Sequence, residues 1–207
     1  MKSRTSNIVD AGPALNFMSI NQERLLVEVL GDLCAPEVVY KEVVGKSKTD
    51  ARFSPAQKVL DKLVNAGRFT ILSDAPLPEI LEVLERLNDL PPMDQLASPK
   101  DLGEKMAIAH AVTRAEAGGN CLLLIDDGGG RALAKKEIGR LGRGKLMGNK
   151  RSGQIWLVST EDILARAVHL GLIATMDALK KLYGRMRALD DGLVPFSDSR
   201  LSGIKFI

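Results

Sequence analysis

Four carboxylates spread along the chain, Asp10, Glu42, Glu104 and Asp127, are the residues best suited to chemistry, with Asp126 as the alternative to its neighbour. Brought together, such groups repel one another, and protonation or a bridging cation relieves the repulsion. Hard divalent ions, Mg2+ or Mn2+, take oxygen ligands of this kind. At a phosphodiester, one or two of these ions generate hydroxide, orient the phosphate and stabilise the leaving oxygen, so no protein nucleophile is needed. Taken singly, each acid has an ordinary explanation. An Asp after a strand is commonly turn or cap chemistry, Glu42 fits a solvated helix, and Glu104 fits a favourable charge in a first helical turn.

Other chemistries find little support. His110 and His169 stand alone in helix-like runs, so neither a histidine-based triad nor a multi-His zinc site can be assembled. Cys34 and Cys121 lack CxxC spacing and lie among apolar residues, which reads as two buried, reduced thiols. Residues 139–145, GRLGRGK, imitate a phosphate-binding loop, but Leu146 stands where a Ser or Thr should hold Mg2+, and no strand precedes the first glycine. Gly128, Gly129 and Gly130 lack dinucleotide-binding spacing and suggest a tight strand-to-helix turn beside Asp127.

The elements that must position the acids follow from periodicity and punctuation. Short apolar runs at 6–9, 33–35, 69–72, 121–125 and 155–158 read as strands, the fourth an unbroken run of five that marks a central strand. Helices are expected over 13–18, 22–30, from Pro36 through Glu42, from a Ser54 cap to 66, over 78–87, 102–117, 131–139, 160–170 and 175–189. Residues 88–100, with three prolines, read as a loop, and 197–207 as an edge strand or a docked tail. Strands alternating with helices predict an α/β fold with a central parallel sheet covered on both faces. In such sheets the functional crevice lies beyond the strands' C-terminal ends, where Asp10 and Asp127 are both expected.

At 207 residues and 45% hydrophobic composition, the chain suits one well-cored domain. We divide it into 1–175 and a helix and tail, 176–207, packed on the same domain. There is no secretory leader pattern and no apolar run of membrane-spanning length, so a cytoplasmic protein with no membrane partner is expected. The net charge of +3 is too small to identify a partner, but its distribution is uneven. Between Arg131 and Arg151 there are eight basic residues against one acid, Glu137. Arg131, Lys135, Lys136, Arg140, Arg143 and Lys145 are candidates to hold a nucleic-acid backbone next to Asp127. With aromatics at 4%, base-stacking platforms are poorly supported.

Several stretches also carry a family likeness. Ile8-Val9-Asp10-Ala-Gly-Pro-Ala-Leu, Pro36-Glu-Val-Val-Tyr-Lys-Glu42-Val, Asp101-Leu-Gly-Glu104-Lys-Met-Ala and Leu123-Leu-Ile-Asp126-Asp127, followed by Gly130-Arg131-Ala-Leu-Ala, occur in that order. Together they resemble the PIN-domain family, especially its bacterial branch with a Gly-Glu helix and an Ile-Asp-Asp strand end. Ser159-Thr160 through Gly171-Leu-Ile173 looks like that branch's closing helix, so the likeness runs from about residue 6 to 175. The resemblance implies a PIN-like three-layer α/β/α fold and a Mg2+- or Mn2+-dependent endoribonuclease, often the toxin of a toxin–antitoxin pair. Asp10, Glu42, Glu104 and Asp127 match the four family acids in order, with Asp126 held in reserve. Thr160 is a candidate to position a water or phosphate, or simply a helix cap. RNA, a cognate antitoxin and a second copy of the chain are the partners implied. A structure-specific DNA nuclease and a non-catalytic binding module are the alternatives.

Overall fold

A computed structural model describes residues 6–87, 101–148, 151–189 and 192–206. The predicted loop at 88–100 lies outside them. Five strands, β1 (Ser6–Val9), β2 (Leu33–Pro36), β3 (Phe69–Leu72), β4 (Cys121–Leu124) and β5 (Ile155–Val158), form one parallel sheet in the order β3-β2-β1-β4-β5. The helices are α1 (Ala11–Ser19), α2 (Glu23–Leu30), α3 (Glu37–Thr49), α4 (Ala56–Asn65), α5 (Pro78–Leu87), α6 (Leu102–Glu116), α7 (Gly128–Leu146), α8 (Thr160–His169) and α9 (Met176–Arg187). No described helix is long and apolar enough to cross a membrane.

Alternation along the strands divides the core into two layers, because successive side chains point to opposite faces. On β1, Val9 packs with Phe17, Met18, Leu26 and Leu164, whereas Ile8 packs with Met106, Ile108, Leu123 and Ile155. Cys34 and Cys121 are buried in the second layer as free thiols, and burial pushes them up to about 11 and about 12. Leu179, Tyr183 and Met186 of α9, with Leu193 and Leu201 of the tail, are buried in the first layer. The tail forms two 3-10 turns, Phe196–Asp198 and Arg200–Gly203, and docks without adding a strand.

The starts of α1, α2 and α9 shift by one or two residues, and three further starts differ for reasons the contacts show. Pro36 ends β2 and leaves α3 to begin at Glu37. The carboxylate of Asp74 accepts hydrogen bonds from the Glu37 and Val38 amides at 3.2 and 2.6 Å. Ser54 is no cap. Asp50 instead caps a 3-10 turn (Ala51–Phe53) by accepting from the Arg52 amide, and α4 starts at Ala56. The largest difference is α7, which absorbs both the expected glycine turn at 128–130 and the stretch after 139 into one helix of 19 residues. Six glycines argue against such a helix, each costing about 1 kcal/mol relative to alanine.

Packing outweighs that propensity. Glu137 is only 2% exposed, and its Oε2 lies 2.8 Å from Arg140 Nε and 3.4 Å from Arg86 Nε on α5. Glu116 at the end of α6 pairs with the same two arginines. Glu137→Ala would leave Arg86 and Arg140 sharing Glu116 alone. We expect it to lower the unfolding free energy by about 2–3 kcal/mol, somewhat below the range for fully buried pairs because both arginines reach solvent. A urea denaturation midpoint equal to wild type would show that the network does not hold α7.

Candidate functional site

The sheet reverses its winding between β1 and β4: β2 and β3 extend it one way, β5 the other. A crevice opens at such a reversal, beyond the strands' C-terminal ends. Asp10 follows β1 there and occupies the N-cap position of α1. Asp126 and Asp127 follow β4, and the Asp10 amide donates to the Leu124 carbonyl at 3.0 Å, tying the two strand ends together. Two helices bring the remaining acids to this edge, Glu42 on α3 and Glu104 in the first turn of α6.

Two glycines allow the approach. A Cβ on Gly103 would sit 3.2 Å from Glu42 Oε2 and 3.7 Å from Asp10 Oδ1, so α6 presents bare backbone to both carboxylates. A Cβ on Gly130 would strike the Glu104 carboxylate, 2.9 Å from its carbon. Glycine is thus used here for close packing. This role is not expected from spacing alone, although Gly103 immediately precedes Glu104 and Gly130 stands three residues after Asp127.

Asp10 and Glu104 are shifted by burial and by the other acids of this edge. Asp10 is 5% exposed, and its Oδ1 is buried without a hydrogen-bond partner. Burial raises its pKa from 3.8 to about 6, with Glu42 and Asp126 adding to the rise and the Ala11 and Gly12 amides opposing it. Glu104 is pushed from 4.5 to about 7, first by burial and then by Asp10, Asp127, Asp101 and Glu42. A buried carboxylate oxygen without a donor is costly unless something positive reaches it. No three of the described His, Cys, Asp or Glu side chains stand close enough to grip an ion in their present rotamers. The set fits a hard cation by its chemistry, all-oxygen donors with one orphaned atom, rather than as a finished cage.

Asp126 and Asp127 divide the strand end between them. Asp127 is exposed and caps α7, its Oδ1 accepting from the amides of Gly129 at 2.7 Å and Gly130 at 3.1 Å. Asp126 is half-buried and accepts from the Thr160 amide at 2.7 Å and the Thr160 hydroxyl at 2.5 Å. Thr160 is fully buried by this contact, and the cap of α8 is Ser159, in a reciprocal box with Asp162. Asp126 faces Asp10 electrostatically and Asp127 faces Glu104, so both flank the crevice. The N-termini of α1, α7 and α8 all meet it, and helix N-termini favour anions.

The basic segment is split by the folding of α7. Arg131 Nη1 donates to the carbonyls of Ile125 at 2.7 Å and Val158 at 2.9 Å, joining the ends of β4 and β5, and Arg140 is committed to Glu116 and Glu137. These two therefore serve the fold, because strand-end carbonyls and a buried carboxylate need donors. Lys135, Lys136 and Arg143 are exposed and Lys145 is half-exposed. Lys46, one turn after Glu42, bridges it at 2.8 Å, an i,i+4 pair that the sequence shows on inspection.

No curated protein and no solved structure matches the chain. A family model described as a PIN domain matches residues 6–142, from the first residue of β1 into α7, and this span holds every acid at the sheet's reversal. A parallel five-stranded sheet between helical layers is the fold expected of that match, and the chain belongs to the PIN-domain family.

Proposed function

We propose that this chain is an endoribonuclease that uses Mg2+ or Mn2+, with Asp10, Glu104, Asp127 and Asp126 as its metal-holding acids and Glu42 at the same edge. The observation that carries the reading is Asp10: a buried carboxylate with an unpartnered oxygen, at the point of the sheet where acids from three other segments gather. When bound, such an ion would supply a water of lowered pKa and offset the carboxylate charge. Without metal, burial and the neighbouring acids raise the Glu104 pKa to about 7, a repulsion that a bound cation would relieve. The N-terminus of α7, capped by Asp127 through the Gly129 and Gly130 amides, lies at this edge. Lys135, Lys136, Arg143 and Lys145 follow along the same helix and would hold the backbone without reading its sequence. Asp126, with Thr160 behind it, would position the α8 side of the crevice.

A role as the toxin of a toxin–antitoxin pair is consistent with this chemistry and rests on family likeness. The enzyme assignment is tested by incubating purified protein with mixed RNA and DNA pools in Mn2+, in Mg2+ and in EDTA. We expect cleavage of RNA, 5′-phosphate products and complete loss in EDTA. Cleavage persisting in EDTA would remove the metal from the reading, and faster cutting of DNA would remove the RNA. Growth arrest on expression, relieved by the product of an adjacent small reading frame, is the expected result for the toxin role.

A further inference from the structure

Next to the carboxylates is a second feature, a cavity of about 380 Å3 between α1, the end of α3 and the 3-10 turn that follows. Its volume falls in the range of small-molecule sites, about 300–1,000 Å3. Gly12 and Lys46 line the side nearest the acids. Gly12 lies against Asp10, whose Oδ2 would be 4.0 Å from a Cβ there, and Lys46 bridges Glu42. The cavity therefore borders the acidic edge at Gly12 and Lys46.

The walls have the makings of a nucleotide site. Leu15 and Phe53 form an apolar floor. The Arg52 guanidinium is held 5.2 Å above the Phe53 ring centroid, and its Nε and Nη2 are fixed on Asp50 at 3.1 and 2.7 Å. About half of the Arg52 side chain is exposed. A guanidinium plane is a surface on which an unstacked base can lie, as on an aromatic ring. Lys46 and Glu42 both reach solvent, and an exposed pair of this kind contributes little, so Lys46 can turn to an incoming phosphate at small cost.

We propose that this cavity receives the nucleotide adjoining the cleaved phosphodiester of an RNA strand, its base on Arg52 and its phosphate drawn to Lys46. The proposal rests on the nuclease function given above. It assigns a stacking surface to a chain with few aromatic residues, and it places base contact on the α1 and α3 side, opposite the basic helix α7.

Two variants test it, Arg52→Ala, which removes the platform, and Thr49→Trp, which fills the cavity from an exposed position on its rim. Lys46 is left intact because of its bridge to Glu42. Each protein is assayed with Mn2+ on a single-stranded RNA decamer and on bis(p-nitrophenyl) phosphate, a diester with no neighbouring nucleotide. The cavity assignment expects the ratio of decamer to diester kcat/KM to fall about tenfold in each variant, chiefly through KM, the size of effect seen when one base loses its stack. A ratio equal to wild type in both variants overturns the subsite and leaves the nuclease intact. A wild-type protein that cleaves neither substrate overturns the nuclease reading and the subsite with it.

Discussion

Asp10→Asn is expected to abolish cleavage, lowering kcat on the order of 10³-fold, while making the metal-free protein more stable at neutral pH. The two effects share a cause. In the folded chain the pKa of Asp10 is raised from 3.8 to about 6, and that of Glu104 from 4.5 to about 7. A group whose folded pKa is raised supplies stability that is fully present below its unfolded pKa and is lost as pH rises through its folded one. Wild-type protein in EDTA should therefore lose stability progressively between about pH 4 and pH 7. For Asp10 alone the loss is on the order of 2–3 kcal/mol, since each pKa unit corresponds to about 1.4 kcal/mol and the group is almost wholly buried. Asparagine carries no charge to bury, so thermal unfolding of the variant followed against pH should show a flatter profile. Saturating Mn2+ should restore much of the lost stability to wild type and little to the variant. Equal pH profiles for the two proteins would mean that Asp10 is not a strained charge in the folded state, and the cation site would lose its principal support.

Gly130→Ala also separates fold from function, through a neighbour of the acids rather than an acid. The added methyl group would meet the Glu104 carboxylate carbon at 2.9 Å and Ile125 Cγ2 at 3.2 Å. Glu104 is the flexible partner and would swing aside. The helix itself gains from alanine, by up to about 1 kcal/mol in an exposed interior and less in a first turn. We expect a midpoint of thermal unfolding within a few degrees of wild type and a kcat reduced by about 100-fold, the loss that a displacement of about 1 Å at a reacting centre can cause. Undiminished turnover in G130A would show that the position of Glu104 does not matter to the chemistry.

Legibility in the sequence followed the range of the interactions. All five strands are visible because their apolar runs are short and end at Asp, Pro or Ser, which is local information. The predicted α5, Pro78–Leu87, agrees at both ends for the same reason: proline opens it and its apolar residues recur at helical spacing. By contrast, α7 looks broken until Glu137 is seen between Arg86 and Arg140, partners on another helix and on the next turn. The start of α3 depends on Asp74, which is 36 residues from Val38. Among the site residues, the order and family words of the acids were readable, but their environment was not. Sequence cannot show that Asp10 keeps an unpartnered oxygen, that Asp126 is taken by Thr160, or that Arg131 turns inward to two carbonyls.

The pairing of β5 with β4 bears on where this chain can be cut. The family match ends at residue 142, before β5 and α8. A fragment ending there would bare the length of β4, an interior strand whose Leu123 and Leu124 are buried, and would strip Asp126 of both hydrogen bonds from Thr160. An apolar strand with open backbone groups recruits other chains. It would also lose Tyr183, Met186 and Leu201 from the first layer of the core. The smallest soluble unit therefore extends well past the stretch that identifies the family, through the docked tail, and a shorter recombinant piece is expected in the pellet rather than the supernatant.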